Sequence, residues 1–107
     1  MKKIAQQLWI AQEGENYRIG MTPELQDDAG DISYVNIFDG DSIQVDETLL
    51  NLEASKAAIE IPSPLAGRVL EINQAAMDSP ELLNSEDAKD HWIAVLTDVD
   101  PTAFDAL

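Results

Sequence analysis

The stretch LNLEASKAAIEIPSPLAG, residues 50–67, constrains the fold most, because two runs of alternating apolar residues meet at Ser55 and Lys56. With these two as the central residues of a tight turn, Ala54 faces Ala57, Leu52 faces Ile59 and Leu50 faces Ile61. Glu53 then faces Ala58, and Asn51 faces Glu60, on the opposite side. One wholly apolar face and one mostly polar face is the pattern of an antiparallel hairpin half-buried against a core. A three-residue loop centred on Lys56 would instead set Leu52 against Glu60 and Leu50 against Pro62, mixing the faces. The two-residue register is therefore expected. Ser-Lys lacks the Asn-Gly chemistry of strongly twisted hairpin turns, so a less twisted turn held by its surroundings is expected. Pro62 and Pro64 donate no backbone hydrogen bond, which makes the returning strand an edge or a bulge at that point.

Elsewhere the pattern is mainly strand. DISYVNIF at 31–38, RVLEIN at 68–73 and HWIAVLT at 91–97 are rich in β-branched and large apolar residues with partial alternation. LWIA and YRIGM predict a short hairpin around QEGEN. Three short helices are expected at 22–25, 79–83 and 100–107, where Thr22, Ser79 and Asp100 each precede a proline at the first helical position. Gly30 is expected to stop the first. AGDISYVN at 29–36 and AGRVLEIN at 66–73 form a weak internal repeat 37 residues apart, with Asp41 and Asp78 at the same offset. Many short strands with little helix predict an all-β sandwich or flattened barrel, built as a single domain over 1–107.

Charge narrows the function. Six basic against 21 acidic residues leave a net charge of −15, which opposes binding to nucleic-acid backbones and anionic membranes and favours partners with positive surfaces. It also favours a monomer. No segment has the apolar length of a membrane span, and Gln6, Gln7, Gln12 and Glu13 interrupt any signal-peptide core, so a cytoplasmic protein is expected. With no cysteine there is no thiolate nucleophile or cysteine metal site. The one histidine, His91, falls in a strand-like run and is assigned no role. The carboxylates show no spacing that separates a catalytic pair from a solvated surface, so neither an enzyme nor a metal site is expected.

Lys56 is the only basic residue between Arg18 and Arg68, flanked by small residues that leave its amine open. Geometry alone is compatible with a solvated turn lysine or with an attachment site. LEASKAAIEIPSPLAGRVLEIN, followed by SPELLNSEDAKDHWIAVL, resembles the lipoyl-carrier domain of the glycine cleavage H protein. In that family a glutamate three positions before the lysine, then Ser-Pro, a small residue and glycine surround the lipoylated site, and Glu53, Ser63, Pro64 and Gly67 match. YRIGMTPELQDDAGDISYVNI resembles the family's strand, short helix and Gly-Asp turn. Biotinyl carriers place methionines around their lysine, which Ala54-Ser55-Lys56-Ala57 lacks.

The resemblance implies an all-β lipoyl/biotinyl-type flattened barrel (a barrel-sandwich hybrid) with short peripheral helices. It implies lipoate joined covalently to Lys56, with Glu53, Ser55 and Ala57 recognised by a lipoate-protein ligase. The short length and the segment NIFDGDSIQVDE make the chain more similar to the H-like proteins of some bacteria and fungi. Those stand beside a dedicated lipoate ligase, a macrodomain hydrolase and a sirtuin-type ADP-ribosyltransferase, and Asp27, with Asp28 beside it, maps to the ADP-ribose acceptor. The resemblance thus implies a lipoylated carrier that is ADP-ribosylated in a redox-stress response. The alternatives it implies are an authentic H protein carrying the methylamine group among glycine cleavage enzymes, or a donor of lipoyl groups to other lipoyl-dependent enzymes.

Overall fold

The computed structural model describes residues 2–107. It begins with an antiparallel meander of β1 (Lys2–Ala5), β2 (Leu8–Glu13) and β3 (Asn16–Met21). Helix α1 (Pro23–Ala29) leads to β4 (Ile32–Ile37), the two-residue β5 (Ser42–Ile43), and the hairpin of β6 (Thr48–Ala54) and β7 (Ala58–Pro62). Then follow β8 (Gly67–Ile72), α2 (Gln74–Asp78), a 3₁₀ turn over Pro80–Asn84, α3 (Ala88–His91), β9 (Trp92–Thr97) and α4 (Pro101–Asp105). The strands form a six-stranded sheet, β1-β2-β3-β9-β8-β5, and a three-stranded sheet, β4-β6-β7. All pairings are antiparallel. This is the flattened barrel-sandwich that the strand pattern predicts.

The alternation in 50–67 decides which face of the smaller sheet turns inward. Leu50 and Leu52 of β6 and Ile61 of β7 are buried, as are Val35 and Ile37 of β4. They meet Leu8, Ile10 and Ile19 of the larger sheet in one core. Each such side chain stabilises the fold by about 1.5–3 kcal/mol through removal from water. The observed pairs are Leu50 with Ile61, Asn51 with Glu60, Leu52 with Ile59 and Glu53 with Ala58, the expected register. β7 is an edge strand, and the register slips between Thr48 and Leu50 opposite Pro62, where proline was expected to require an edge or a bulge.

Two of the three expected helices have their caps. Thr22 Oγ1 accepts from the Leu25 amide and Asp100 Oδ1 from the Thr102 amide, with proline next in each case. Gly30, at φ 77°, ends α1. The middle one differs: Ser79 makes no side-chain cap, and 80–84 winds as a 3₁₀ turn. A second helix, α2, precedes it under an Asn73 cap, and α3 takes the residues before β9. His91 therefore closes α3 and is not part of the strand.

Strand β1 was not expected. Its hairpin turns through Gln6 and Gln7, at φ 55° and 64°, a left-handed pair that sequence normally marks with Asn or Gly. Tertiary contacts hold it here, since Thr22 Oγ1 donates to the Gln7 carbonyl at 2.7 Å and Gln7 Nε2 to Asp28 Oδ2 at 2.9 Å.

The internal repeat has a structural echo. Both copies supply a strand, and both strands slip register at the same offset, around Ser33 in β4 and Leu70 in β8. The likeness stops there, because Asp41 precedes β5 while Asp78 ends α2.

Trp9 lies opposite Gly20, and its indole occupies the space a side chain at position 20 would need. The ring cannot turn aside cheaply, because Nε1 donates to His91 Nε2 at 2.9 Å. Gly20→Ala is expected to lower the unfolding free energy by about 1–3 kcal/mol, measured by urea titration.

Candidate functional site

The hairpin tip is closed by its own short bond, the Ala54 amide donating to the Ala57 carbonyl at 2.9 Å. Neither Ser55 nor Lys56 has a positive φ, so the turn is not the strongly twisted left-handed type, as Ser-Lys implies. What holds it is the segment after α1. The Ser55 amide donates to the Asp31 carbonyl at 2.9 Å, the Lys56 amide to the Ala29 carbonyl at 3.0 Å, and the Asp31 amide to Ser55 Oγ at 2.9 Å. Gly30 permits this approach. A Cβ there would collide with Ser55 Oγ and come within 3.0 Å of Lys56 Cγ, and the positive φ already disfavours a side chain.

The clamp is fixed in turn from beneath. Asn84 Nδ2 donates to the Gly30 carbonyl at 2.7 Å, and Asn84 Oδ1 accepts from the Ile32 amide at 2.8 Å. Gln26 Nε2 donates to the Leu83 and Ser85 carbonyls, both at 2.8 Å. Sequence reasoning missed Asn84, Gln26 and Asp31, since isolated polar residues in short connections leave no periodic mark. Gly30 was legible as a helix stop, but not as the contact surface for the tip.

Lys56 is exposed, as expected, yet its amine is not unobstructed. Nζ folds back to donate to the Asp27 carbonyl at 3.1 Å. No basic residue lies in the last turn of α1, so Lys56 supplies the cation that its carbonyl end favours. Asp27 and Lys56 therefore line one open cleft of about 630 Å³, together with Asp31, Asn84, Glu86 and His91. Asp28 instead accepts from Gln7. Glu53 is exposed on β6, and Ala57 is half-buried beside the tip. The Ser55 hydroxyl is engaged in holding Asp31.

His91 is a satisfied interior group. Nδ1 lies 2.8 Å from the Ser85 carbonyl, which only accepts, while Trp9 Nε1–H only donates to Nε2. The ring is thus a neutral Nδ1–H tautomer tying β2 to the segment before β9. Among the described residues no group of three or more His, Cys, Asp or Glu is placed to hold a metal ion.

The motif residues downstream of the tip shape the chain's passage between sheets. Ser63 is fully buried and its Oγ donates to the Leu65 carbonyl at 2.6 Å. Gly67 lies so close to β9 that a Cβ would sit 2.8 Å from the Thr97 carbonyl oxygen.

The site is thus an exposed lysine at the braced tip of a hairpin, on a scaffold of two antiparallel sheets. The glycine cleavage H-protein family model matches residues 1–107, and the chain belongs to that family. It is 44% identical over 107 residues to the glycine cleavage system H-like protein of Staphylococcus aureus, covering 100% of this chain and 97% of that one. It is 38% identical over 96 residues to the glycine cleavage system H protein of Coprothermobacter proteolyticus, covering 89% and 76%. The crystal structure of a glycine cleavage system H protein from Mycobacterium marinum superposes with a TM-score of 0.78 at 22% identity, over 90% of this chain and 81% of that one, a likeness of fold. Proteins of this family are carriers, not catalysts, and bear lipoate covalently on a lysine.

Ser55→Ala removes the acceptor of the Asp31 amide while leaving the hairpin ladder intact. The expected loss is about 0.5–1.5 kcal/mol of stability, with faster hydrogen exchange at the Asp31 and Lys56 amides than elsewhere in the hairpin.

Proposed function

We propose that Lys56 is the lysine that carries lipoate and that the chain serves as an H-like lipoyl carrier. The observation that carries this reading is the exposed amine at a tip whose backbone is bonded to residues 29–31. The residues present fit the group: small neighbours flank the lysine, and the amide would leave one face of the hairpin open to solvent. Lipoate supplies a dithiolane that cycles between disulfide and dithiol. The chain supplies the pivot and, having no cysteine, offers no thiol that would form mixed disulfides with the cargo. Tethering raises the effective concentration of that cargo at any enzyme the carrier docks on.

The partner set proposed is a lipoate-protein ligase, which meets Glu53, Ser55 and Ala57, and the sirtuin-type ADP-ribosyltransferase and macrodomain hydrolase of H-like systems. In this reading the carrier is a cytoplasmic monomer of one domain, 1–107, and Asp27 accepts ADP-ribose. Support comes from the full-length likeness to an H-like relative and from the shared cleft of Asp27 and Lys56. The second reading, service to the glycine cleavage enzymes or as a lipoyl donor, is favoured by the relatives named as H proteins proper.

Incubation with lipoate, ATP and a lipoate ligase is expected to add one lipoyl group, seen by intact mass and absent in Lys56→Arg. An unmodified wild-type chain would refute the assignment. With NAD and a sirtuin-type transferase, the lipoylated chain is expected to gain one ADP-ribosyl group that Asp27→Ala does not accept. Full activity in reconstituted glycine cleavage would instead favour the second reading.

A further inference from the structure

The face of the smaller sheet that turns away from the core lies open, and its pair nearest the tip, Glu53 with Ala58, flanks the turn that carries Lys56. Across this face, Tyr34 pairs with Glu53 and Glu53 with Ala58, while Asn36, Asn51 and Glu60 form the neighbouring row. Tyr34, Asn51, Glu53, Ala58 and Glu60 border a shallow hollow of about 340 Å³. Tyr34 is 50% exposed, one of the few large aromatic surfaces in the chain.

Its exposure has a specific cause. Strict alternation after the buried Ile32 would send Tyr34 into the core, but the register slip at Ser33 turns it outward and sends Val35 inward. The equivalent slip in β8 leaves Glu71 at the matching place. The slip thus belongs to the scaffold, whereas the aromatic belongs to the lysine's own sheet. Glu53 and Glu60 beside it have no cationic partner among the described residues. Glu60 accepts only from the Thr48 hydroxyl. A phenol ring flanked by unpaired carboxylates suits a guanidinium that stacks on the ring and pairs with the acids.

We propose that this face is the footprint of the enzyme that acylates Lys56, read by an arginine-bearing surface with Tyr34 as its anchor. The proposal rests on Lys56 being the lipoyl site. The occupant follows from reach. An acylating enzyme meets an unmodified lysine, only four methylenes long, and must press its surface against the residues flanking the tip. Enzymes that use the cargo reach it through a longer arm and need no contact so close, while the transferase proposed for Asp27 meets the cleft on the α1 side. On one side of the tip α1 and residues 29–31 cover the hairpin. The outer face of β4-β6-β7 is the uncovered side.

Initial rates of lipoylation, followed by intact mass over a range of carrier concentrations, test this with Tyr34→Ala, Tyr34→Phe, Glu60→Gln and Glu71→Gln. Tyr34→Ala is expected to raise the carrier KM about tenfold with kcat within about twofold, as loss of a docking anchor does. Tyr34→Phe keeps the ring and stays near wild type. Glu60→Gln raises KM and weakens its dependence on salt, and Glu71→Gln changes neither. A wild-type KM in Tyr34→Ala overturns the footprint alone. A wild-type chain that takes no lipoyl group overturns the Lys56 reading and this proposal with it. A concentration-dependent dimer in light scattering that Tyr34→Ala abolishes also overturns it, by giving the face to a second copy.

Discussion

Bonding between residues 29–31 and the tip of the β6–β7 hairpin is the constraint on which the rest of the site depends. A Ser-Lys turn has little preference of its own for the tight geometry. The Ser55 and Lys56 amides and the Ser55 hydroxyl find partners in a loop that only glycine at position 30 can bring near enough. That loop is fixed by Asn84 and Gln26 to the segment around the 3₁₀ turn, so the position of one lysine depends on pieces of chain far apart in sequence. The core beneath sets where the strands run, and the loop sets where the lysine stands.

Electrostatics gives that lysine a distinctive setting. Of 21 carboxylates, only Glu13 and Asp98 form ion pairs among the described residues, with Arg18 and Arg68. Lys2 and Lys3 lie over the Trp9 and Phe104 rings. Most acidic side chains therefore face solvent without a cation, and Lys56 stands in a cleft bordered by Asp27, Asp31 and Glu86. Its ammonium holds the carbonyl end of α1. Conversion to an amide would remove that charge and keep a single neutral N–H as donor, leaving Asp27, Asp31 and Glu86 without a cation in the cleft.

The features legible in sequence were those that repeat or follow strong local rules. The β6–β7 register came from two alternating runs, and the ends of α1 from Thr22, Pro23 and Gly30. Position 56 stood out as an isolated cation at the centre of that register. Features that depend on contacts made in three dimensions were hidden. Gln6 and Gln7 give no sign of a left-handed turn, because Thr22 and Asp28 stabilise it from outside the hairpin. His91 read as part of a strand because its apolar neighbours continue one, whereas Asp87 caps a short helix that ends on it. The slip at Ser33 was present in DISYVNIF only as imperfect alternation, and its meaning depends on which side faces the core.

A braced tip also fixes the geometry of delivery. With the backbone at Ser55 and Lys56 tied down, motion of an attached group comes from torsions along the side chain and its arm, not from the hairpin swaying. A group attached at Lys56 would then range over a volume of fixed maximum reach about one centre, bounded on one side by α1. Successive partners need not share a docking surface on the carrier. They would need only to bring their reactive centres within that common reach.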